Sequence, residues 1–406
     1  MLRSHYTILI LVWGIVLAFV SSCAVQAGAA GTTTDTGLDR PKVAWAGLSL
    51  AGDNSKLKTL YPISYQFQER ANGLLMSRLQ GKSPAHYELV ANNLIDISKG
   101  DSLAATLTID NESVVVRKLA GLHQAVIEVS ANVLVFDLDS EEKAVIAFFP
   151  IGLGPYIETF STGRPSVDQL NKLVEGYLFG GLSNFGDGLV EVAARSLMDL
   201  DIKYRFAAKI GMGEIEISEL VKSVMQEDFN NDEALMKAYL ARQSARLLSN
   251  QQNVSVMPYV ADGTVSKMAL RFTGQKTTLL LQLPEPDYLF NLNVENFARK
   301  LIKENNHEKL YLYAARATLN IEDDFGDQLF NESIVGFVQK KILQSQTTID
   351  EWAVYRGSLK NLTTQFLNQL SKPDKNWLKQ NKFDSTKKNQ IKRNLSDVAQ
   401  ALEQCR

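Results

Sequence analysis

Ile127-Glu128-Val129-Ser130-Ala131-Asn132-Val133-Leu134-Val135 is the stretch that decides how this chain folds. Ile127, Val129, Ala131, Val133 and Val135 fall on one side of a period of two, and Glu128, Ser130, Asn132 and Leu134 on the other. Such alternation is the mark of a strand with one face in a core. The pattern returns once. Between Tyr311 and Ile321 one face is Tyr311, Tyr313, Ala315, Ala317, Leu319 and Ile321, against Leu312, Ala314, Arg316, Thr318 and Asn320. Pairing His123 with His307 sets Ile127 against Tyr311, Val129 against Tyr313 and Ala131 against Ala315, so the inward faces match at each step.

The flanks of both stretches agree. An alternating run precedes each, with Leu107 and Ile109 in the first and Leu292 and Val294 in the second. An acidic turn follows each, Asp137-Leu138-Asp139-Ser140-Glu141-Glu142 and Glu322-Asp323-Asp324-Phe325-Gly326-Asp327. A third strand is expected from Ala144 and from Gln328. Each set reads as an antiparallel meander with tight turns. Identity between the copies is low, so two unrelated meanders and an internal duplication both remain open.

Helices bracket each meander. Tyr61 to Leu79 and Asn231 to Leu248 carry apolar residues at helical spacing ahead of them. After the first, Ser166-Val167-Asp168-Gln169 is a capping box, followed by Leu170, Leu173, Val174, Tyr177 and Leu178 on one face. After the second, Ile334, Val335 and Val338 are expected to begin a helix, and a fresh cap follows at Thr348-Ile349-Asp350-Glu351. Opening strands are expected at Val43 to Leu50 and at Val254 to Val260. The fold class is therefore α+β, two helix-plus-antiparallel-meander domains over 41–213 and 214–371 and a basic helical tail over 372–406. The seam is placed at Gly211 and Gly213, where Gly-Met-Gly-Glu-Ile-Glu interrupts both periods.

The opening strand Lys42-Val43-Ala44-Trp45-Ala46-Gly47, the helix from Tyr61 and the long meander together resemble the small α/β domain of bacterial envelope proteins. The similarity is to the curli-secretion lipoprotein family and to the N-terminal domain of the periplasmic Tol translocation protein. It covers about a third of each domain and rests on pattern, without a diagnostic motif. No pore-forming hairpin of the curli type is legible. The resemblance implies an accessory role in the cell envelope and transfers no functional residue.

The N-terminus gives an address. Arg3 precedes an uncharged run from Thr7 to Val20, and small residues follow, the layout of a secretory signal over 1–22. The run is shorter than the roughly 20 apolar residues of a membrane span. Val20-Ser21-Ser22-Cys23 resembles a lipobox, making Cys23 the expected lipid-attachment residue. The rival is cleavage after Val25-Gln26-Ala27, which discards Cys23 and leaves the protein soluble in the periplasm. Ala24 after the cysteine suggests, by resemblance to lipoprotein sorting, the outer membrane. Residues 23–40 are small and polar and read as a flexible tether. Either route leaves Cys405 as the one remaining thiol, so no intrachain disulfide is expected.

Composition narrows the function classes. Charged residues are 22% and formal net charge is −2, which offers no basic field for nucleic acid. His86, His123 and His307 lie in no metal-ligand spacing, and no metal or cofactor is expected. No nucleophile elbow or phosphate loop occurs. The run Gly180-Gly181-Leu182-Ser183-Asn184-Phe185-Gly186-Asp187-Gly188 joins two helical stretches and reads as a helix break. Asp323, Asp324 and Asp327 lack calcium-loop spacing and read as a solvated turn.

One segment stands out as a candidate partner contact. Phe148, Phe149, Ile151, Leu153 and Tyr156 are set among Pro150 and Pro155 in a run that reads as a loop. It is either packed under the helix from Val167 or exposed to a partner. The tail from Lys372 to Arg406 holds nine Lys/Arg and four Asp/Glu, with Ile391, Leu395, Val398 and Leu402 as a helical stripe. It either meets anionic headgroups or packs that stripe on the body. The expected function is a non-enzymatic envelope lipoprotein, anchored through its lipid and contacting other envelope proteins. The alternatives are a periplasmic hydrolase with a dispersed site, such as His123 with Asp139, and a carrier of an apolar ligand.

Overall fold

Both meanders form where alternation places them, and the first is built from strands long enough to reach roughly 50 Å. The structure is a computed structural model. It describes residues 40–406 except 53–54, 83, 91–102, 139–142, 184–185, 201, 203–206, 260–266, 273–277, 347 and 384. Cys23, the signal segment and the tether lie outside the described residues, as does Asp139. Residues from Arg40 onward form one compact unit.

The first half runs β1 (Lys42–Ala51), α1 (Leu57–Leu60), α2 (Ser64–Leu79), β2 (Glu88–Val90), β3 (Leu103–Leu119), β4 (Leu122–Asp137), β5 (Val145–Gly152), β6 (Tyr156–Phe160), α3 (Val167–Phe179) and α4 (Leu189–Asp199). The second half runs β7 (Ile210–Ile217), α5 (Glu219–Met225), α6 (Glu233–Gln252), β8 (Val256–Met257), β9 (Lys267–Phe272), β10 (Thr278–Gln282), β11 (Tyr288–Glu304), β12 (Glu308–Asp323), β13 (Gln328–Leu343) and α7 (Glu351–Gln369). The tail forms α8 (Lys375–Gln380) and α9 (Ser385–Gln404). The class is α+β, as the sequence pattern requires.

The two halves share one topology. β1 runs parallel to β3 and to the short β2; β7 runs parallel to β11 and to the short β8. The antiparallel ladders β3–β4–β5 and β11–β12–β13 follow. Irregularities fall on equivalent rungs. Asp110 is skipped between Ile109 and Asn111, and Glu295 between Val294 and Asn296. The third strands slip at the same place, between Val135 and Phe136 and between Ile321 and Glu322. Each bulge carboxylate is held by a hydroxyl: Ser130 donates to Asp110 (2.6 Å), and Thr318 and Ser333 donate to Glu295. Bulges are specified features of a ladder, and their recurrence shows the same strand arrangement in both halves.

Matching the halves through these bulges corrects the histidine-based register. Ile127 corresponds to Tyr313 and Ala131 to Ala317, two residues from the expected pairing. An even shift leaves the inward face unchanged, and Ile127, Ala131, Tyr313 and Ala317 are all buried. His123 lies on β4 opposite Lys118, whereas His307 sits in a turn, so the histidines are not equivalent.

Three further expectations are corrected. The seam expected at Gly211 falls inside β7, the opening strand of the second unit. Its bulge breaks the alternation, with Ile210 and Met212 inward before it and Ile215 and Ile217 after it. The strand expected over Val254 to Val260 is the short β8. The helix expected from Ile334 is β13: Ile334 and Gly336 turn inward alternately, and the three-residue spacing of Val335 and Val338 belongs to a strand. A Cβ on Gly336 would come within 2.3 Å of the Ser358 carbonyl, so glycine there lets α7 lie directly on β13.

Helices α2, α3 and α4 cover the inner face of the first sheet, enclosing Trp45, Leu75, Val133, Tyr177 and Ala193. The Ser166 capping box at α3 forms as expected. Helices α6, α7 and the tail enclose the inner face of the second, with Phe290, Tyr313, Phe330 and Phe366. The tail's stripe packs on the body: Ile391, Leu395, Val398 and Leu402 are buried in that core. It also guards an open sheet edge, because Asn381 accepts from the Val335 N–H (2.8 Å) and Gln380 donates to the Val335 carbonyl (3.2 Å).

The second unit seals the outer face of the first sheet. Its β9–β10 hairpin pairs antiparallel with β1, and Gln282 N–H reaches the Lys143 carbonyl beside β5 (3.3 Å). The path β10-β9-β1-β3-β4-β5 thus closes on itself around Ala44, Leu134, Phe136, Phe148, Leu270 and Phe272.

Candidate functional site

The predicted contact segment is strand, not loop. Phe148 to Gly152 belong to β5, an edge strand of its ladder that tolerates Pro150. After a break at Leu153-Gly154-Pro155, Tyr156 resumes pairing with Ile127 as part of β6. Phe148, Ile151 and Tyr156 are buried, and Phe149 and Leu153 are half-buried against the first core. The Phe148 N–H donates to Ser255 Oγ of the second unit (2.8 Å). Sequence missed this because prolines and glycines mark loops on average, and only the ladder shows that this edge accepts them.

The candidate pair His123 and Asp139 cannot be placed together or apart, because Asp139 lies outside the described residues. His123 stands at one end of β4 and Asp137 at the other, on the order of 45 Å apart along the strand. His86 and His307 are exposed on different elements. Asp323 closes its turn by accepting from the Phe325 and Asp327 N–H groups (3.0 and 2.8 Å). Among the described residues no group of three His, Cys, Asp or Glu could hold a metal ion, and no helix is long and apolar enough to cross a membrane. A cavity of about 60 Å³ near Lys209, Ser255 and Cys405 is water-sized. Burial lowers the Lys209 pKa there and pushes the Cys405 thiol up to about 12.

Between the units lies a half-buried ionic junction. Arg117, near the far end of β3, donates to both carboxylate oxygens of Asp228 (2.7 and 2.9 Å) and to Asp350. The other oxygen of Asp350 caps α7 at Ala353 N–H (3.0 Å), so one side chain ties a helix start to the neighbouring unit. Burial raises the Asp228 pKa, against the pull of Arg117. Midway along the sheet, Gln243 of α6 donates to Glu128 (2.6 Å). Arg246 lies 3.8 Å from the same carboxylate.

Among the described residues, no hairpin closes over the outer face of the second sheet. The rung Thr106–Leu134–Phe148, sealed in the first unit, is Asn291–Asn320–Asn331 in the second. The next rung, Thr108–Asn132–Pro150, is Asn293–Thr318–Ser333. Glu128, gripped by α6, is replaced by Ala314, and Arg316 and Asn331 are exposed. The face is an array of amide, hydroxyl, guanidinium and carboxylate groups, in which Asn291 and Asn320 donate to Glu322 and Thr318 and Ser333 to Glu295, and it is suited to hydrogen bonding a partner surface. The signal was present in the sequence: asparagine, threonine and serine at outward positions of three consecutive strands.

No family model matches the chain, and no curated protein matches it in sequence. Among solved structures, the chain is similar to a minor lipoprotein from Acinetobacter baumannii, at 13% identity and a TM-score of 0.21, over 41% of this chain and 93% of that one. It is also similar to a putative neuraminyllactose-binding hemagglutinin homolog from Helicobacter pylori, at 14% identity and a TM-score of 0.20, over 46% of this chain and 95% of that one. Both are bacterial proteins, and one is a lipoprotein.

Proposed function

We propose that this chain is a non-enzymatic accessory of the bacterial cell envelope, held at the outer membrane by lipid on Cys23 and acting through protein contacts. The contact surface is the outer face of the second sheet. One observation carries the reading: the same face of the same unit is sealed in the first copy and open in the second. An open three-stranded face with exposed Arg316 and Asn331 presents polar groups beside the half-buried Leu312, Ala314, Val335 and Phe337, in keeping with a non-obligate interface.

The test is partner recovery. Arg316→Glu on the open face should weaken cross-linking to envelope proteins while leaving thermal melting unchanged. Equal recovery from the variant and the parent would remove this face from the account. Cys23→Ser should separately move the protein from the membrane pellet to the soluble periplasm; unchanged fractionation would count against the anchor.

A further inference from the structure

The second meander runs past its helices. From Ala298 to His307 the chain is exposed, and so is β13 from Gln339, apart from Ile342. Three aliphatic side chains stand in solvent at this end: Leu301 is 42%, Ile302 48% and Leu343 61% exposed. Five lysines surround them, Lys300, Lys303, Lys309, Lys340 and Lys341, against Glu304 and Glu308. Glu304 pairs with Lys309 and Glu308 with Lys341. Among the described residues, Lys300, Lys303 and Lys340 enter no ion pair. The ladder spreads the charge over both faces, since Lys303, Leu310 and Lys341 share one rung and Leu301, Tyr311 and Lys340 the next.

The equivalent end of the first unit is spoken for. Arg117 occupies the rung that Lys303 occupies here, and it is clamped by Asp228 and Asp350. Among the described residues, no aspartate or glutamate of another element clamps Lys303. Lysines on β13 also discourage strand pairing at an edge, but that role does not account for the exposed Leu301, Ile302 and Leu343. Lysine is depleted in protein interfaces, where arginine and aromatic residues are enriched. Lysines interleaved with aliphatic side chains match a bilayer surface, with ammonium groups at phosphate level and aliphatic side chains at the acyl boundary.

We propose that this tip binds anionic phospholipid surfaces, Lys300, Lys303 and Lys340 meeting the headgroups and Leu301, Ile302 and Leu343 entering the interface. The site is distinct from the open sheet face and stands or falls separately from it. The test is co-sedimentation of the full chain carrying Cys23→Ser, so that no acyl group contributes, with vesicles of phosphatidylcholine alone or mixed with phosphatidylglycerol. Binding should increase with phosphatidylglycerol. The triple variant Lys300→Glu/Lys303→Glu/Lys340→Glu should lose at least about a hundredfold in affinity, from about 1 kcal/mol per lysine. Leu301→Ser/Ile302→Ser should weaken binding while keeping the phosphatidylglycerol preference. Circular dichroism of each variant should match the parent, since the substituted side chains are exposed. Equal binding to both vesicle types, or a triple variant that binds like the parent, overturns the proposal. Self-association in the absence of vesicles that disappears in the triple variant would instead assign the tip to a second copy of the chain.

Discussion

The rung Thr106–Leu134–Phe148 and the rung Asn291–Asn320–Asn331 occupy the same place in two copies of one unit. In the first, leucine and phenylalanine close a small barrel under a hairpin lent by the second. In the second, Asn331 is exposed, and the half-buried Asn291 and Asn320 both donate to Glu322. The inner faces of both sheets are alike, apolar and roofed by helices. Cores keep a unit folded, and the face left over is where copies diverge. A sealed outer face costs the first unit its surface and fixes the second unit against it.

The largest effect expected from this contrast is at Phe148. Phe148→Ala should cost about 3–5 kcal/mol in a urea melt, the range for truncating a core phenylalanine. At the equivalent position, Asn331→Ala should stay within about 0.5 kcal/mol. Similar losses at both positions would erase the distinction between sealed and open faces.

Arg117 and Lys303 give the next contrast. Arg117→Ala leaves Asp228 and Asp350 without their hydrogen-bonded cation, with only Arg356 acting on Asp228 from nearby, and should cost about 2–3 kcal/mol. Lys303→Ala should change stability by no more than about 0.5 kcal/mol. The deficit at Arg117 should depend on pH. The pKa of Asp228 is raised in the folded protein, so its ionisation lowers stability as pH rises through that value, and protonation restores it. Removing the arginine enlarges the penalty. The variant's deficit should therefore shrink between neutral pH and about pH 4.5, near the ordinary carboxylate range; a pH-independent deficit would exclude this account of the junction.

Much of the scaffold was legible because inward faces obey simple periods. Ile127 to Val135 and Tyr311 to Ile321 were readable as strands, α2, α3 and α6 as helices, and the Ser166 box as a cap. What failed was whatever depends on a neighbouring strand. A bulge in β7 disguised an opening strand as a linker. Prolines and glycines in β5 and its continuation disguised an edge as a loop, and with it the burial of Phe148. Three-residue spacing in Ile334, Val335 and Val338 imitated a helix. The candidate site was less readable still, because an outward asparagine looks alike whether a hairpin covers it or solvent does. Only the pairing of β9 with β1, distant in sequence, tells them apart.

Cys405 supplies a smaller test of how tightly the tail joins the two units. Its thiol is buried and its pKa is pushed up to about 12, mainly by that burial. In native protein at neutral pH it should resist alkylation, since the thiolate is the reactive form, and it should label at an ordinary rate in denaturant. Rapid native labelling would show that the tail detaches. Cys405→Ser should cost about 1 kcal/mol by placing a hydroxyl in the same buried site.

The central claim is that the outer face of the second sheet is a contact surface while its counterpart in the first is core. A photo-reactive side chain at Asn331 tests it in living cells, with a second variant carrying the same group at exposed Lys58 of α1 as the control. The account predicts a discrete cross-linked envelope species from Asn331 and none of that size from Lys58. No cross-link from Asn331 in a correctly folded, membrane-associated protein would contradict it.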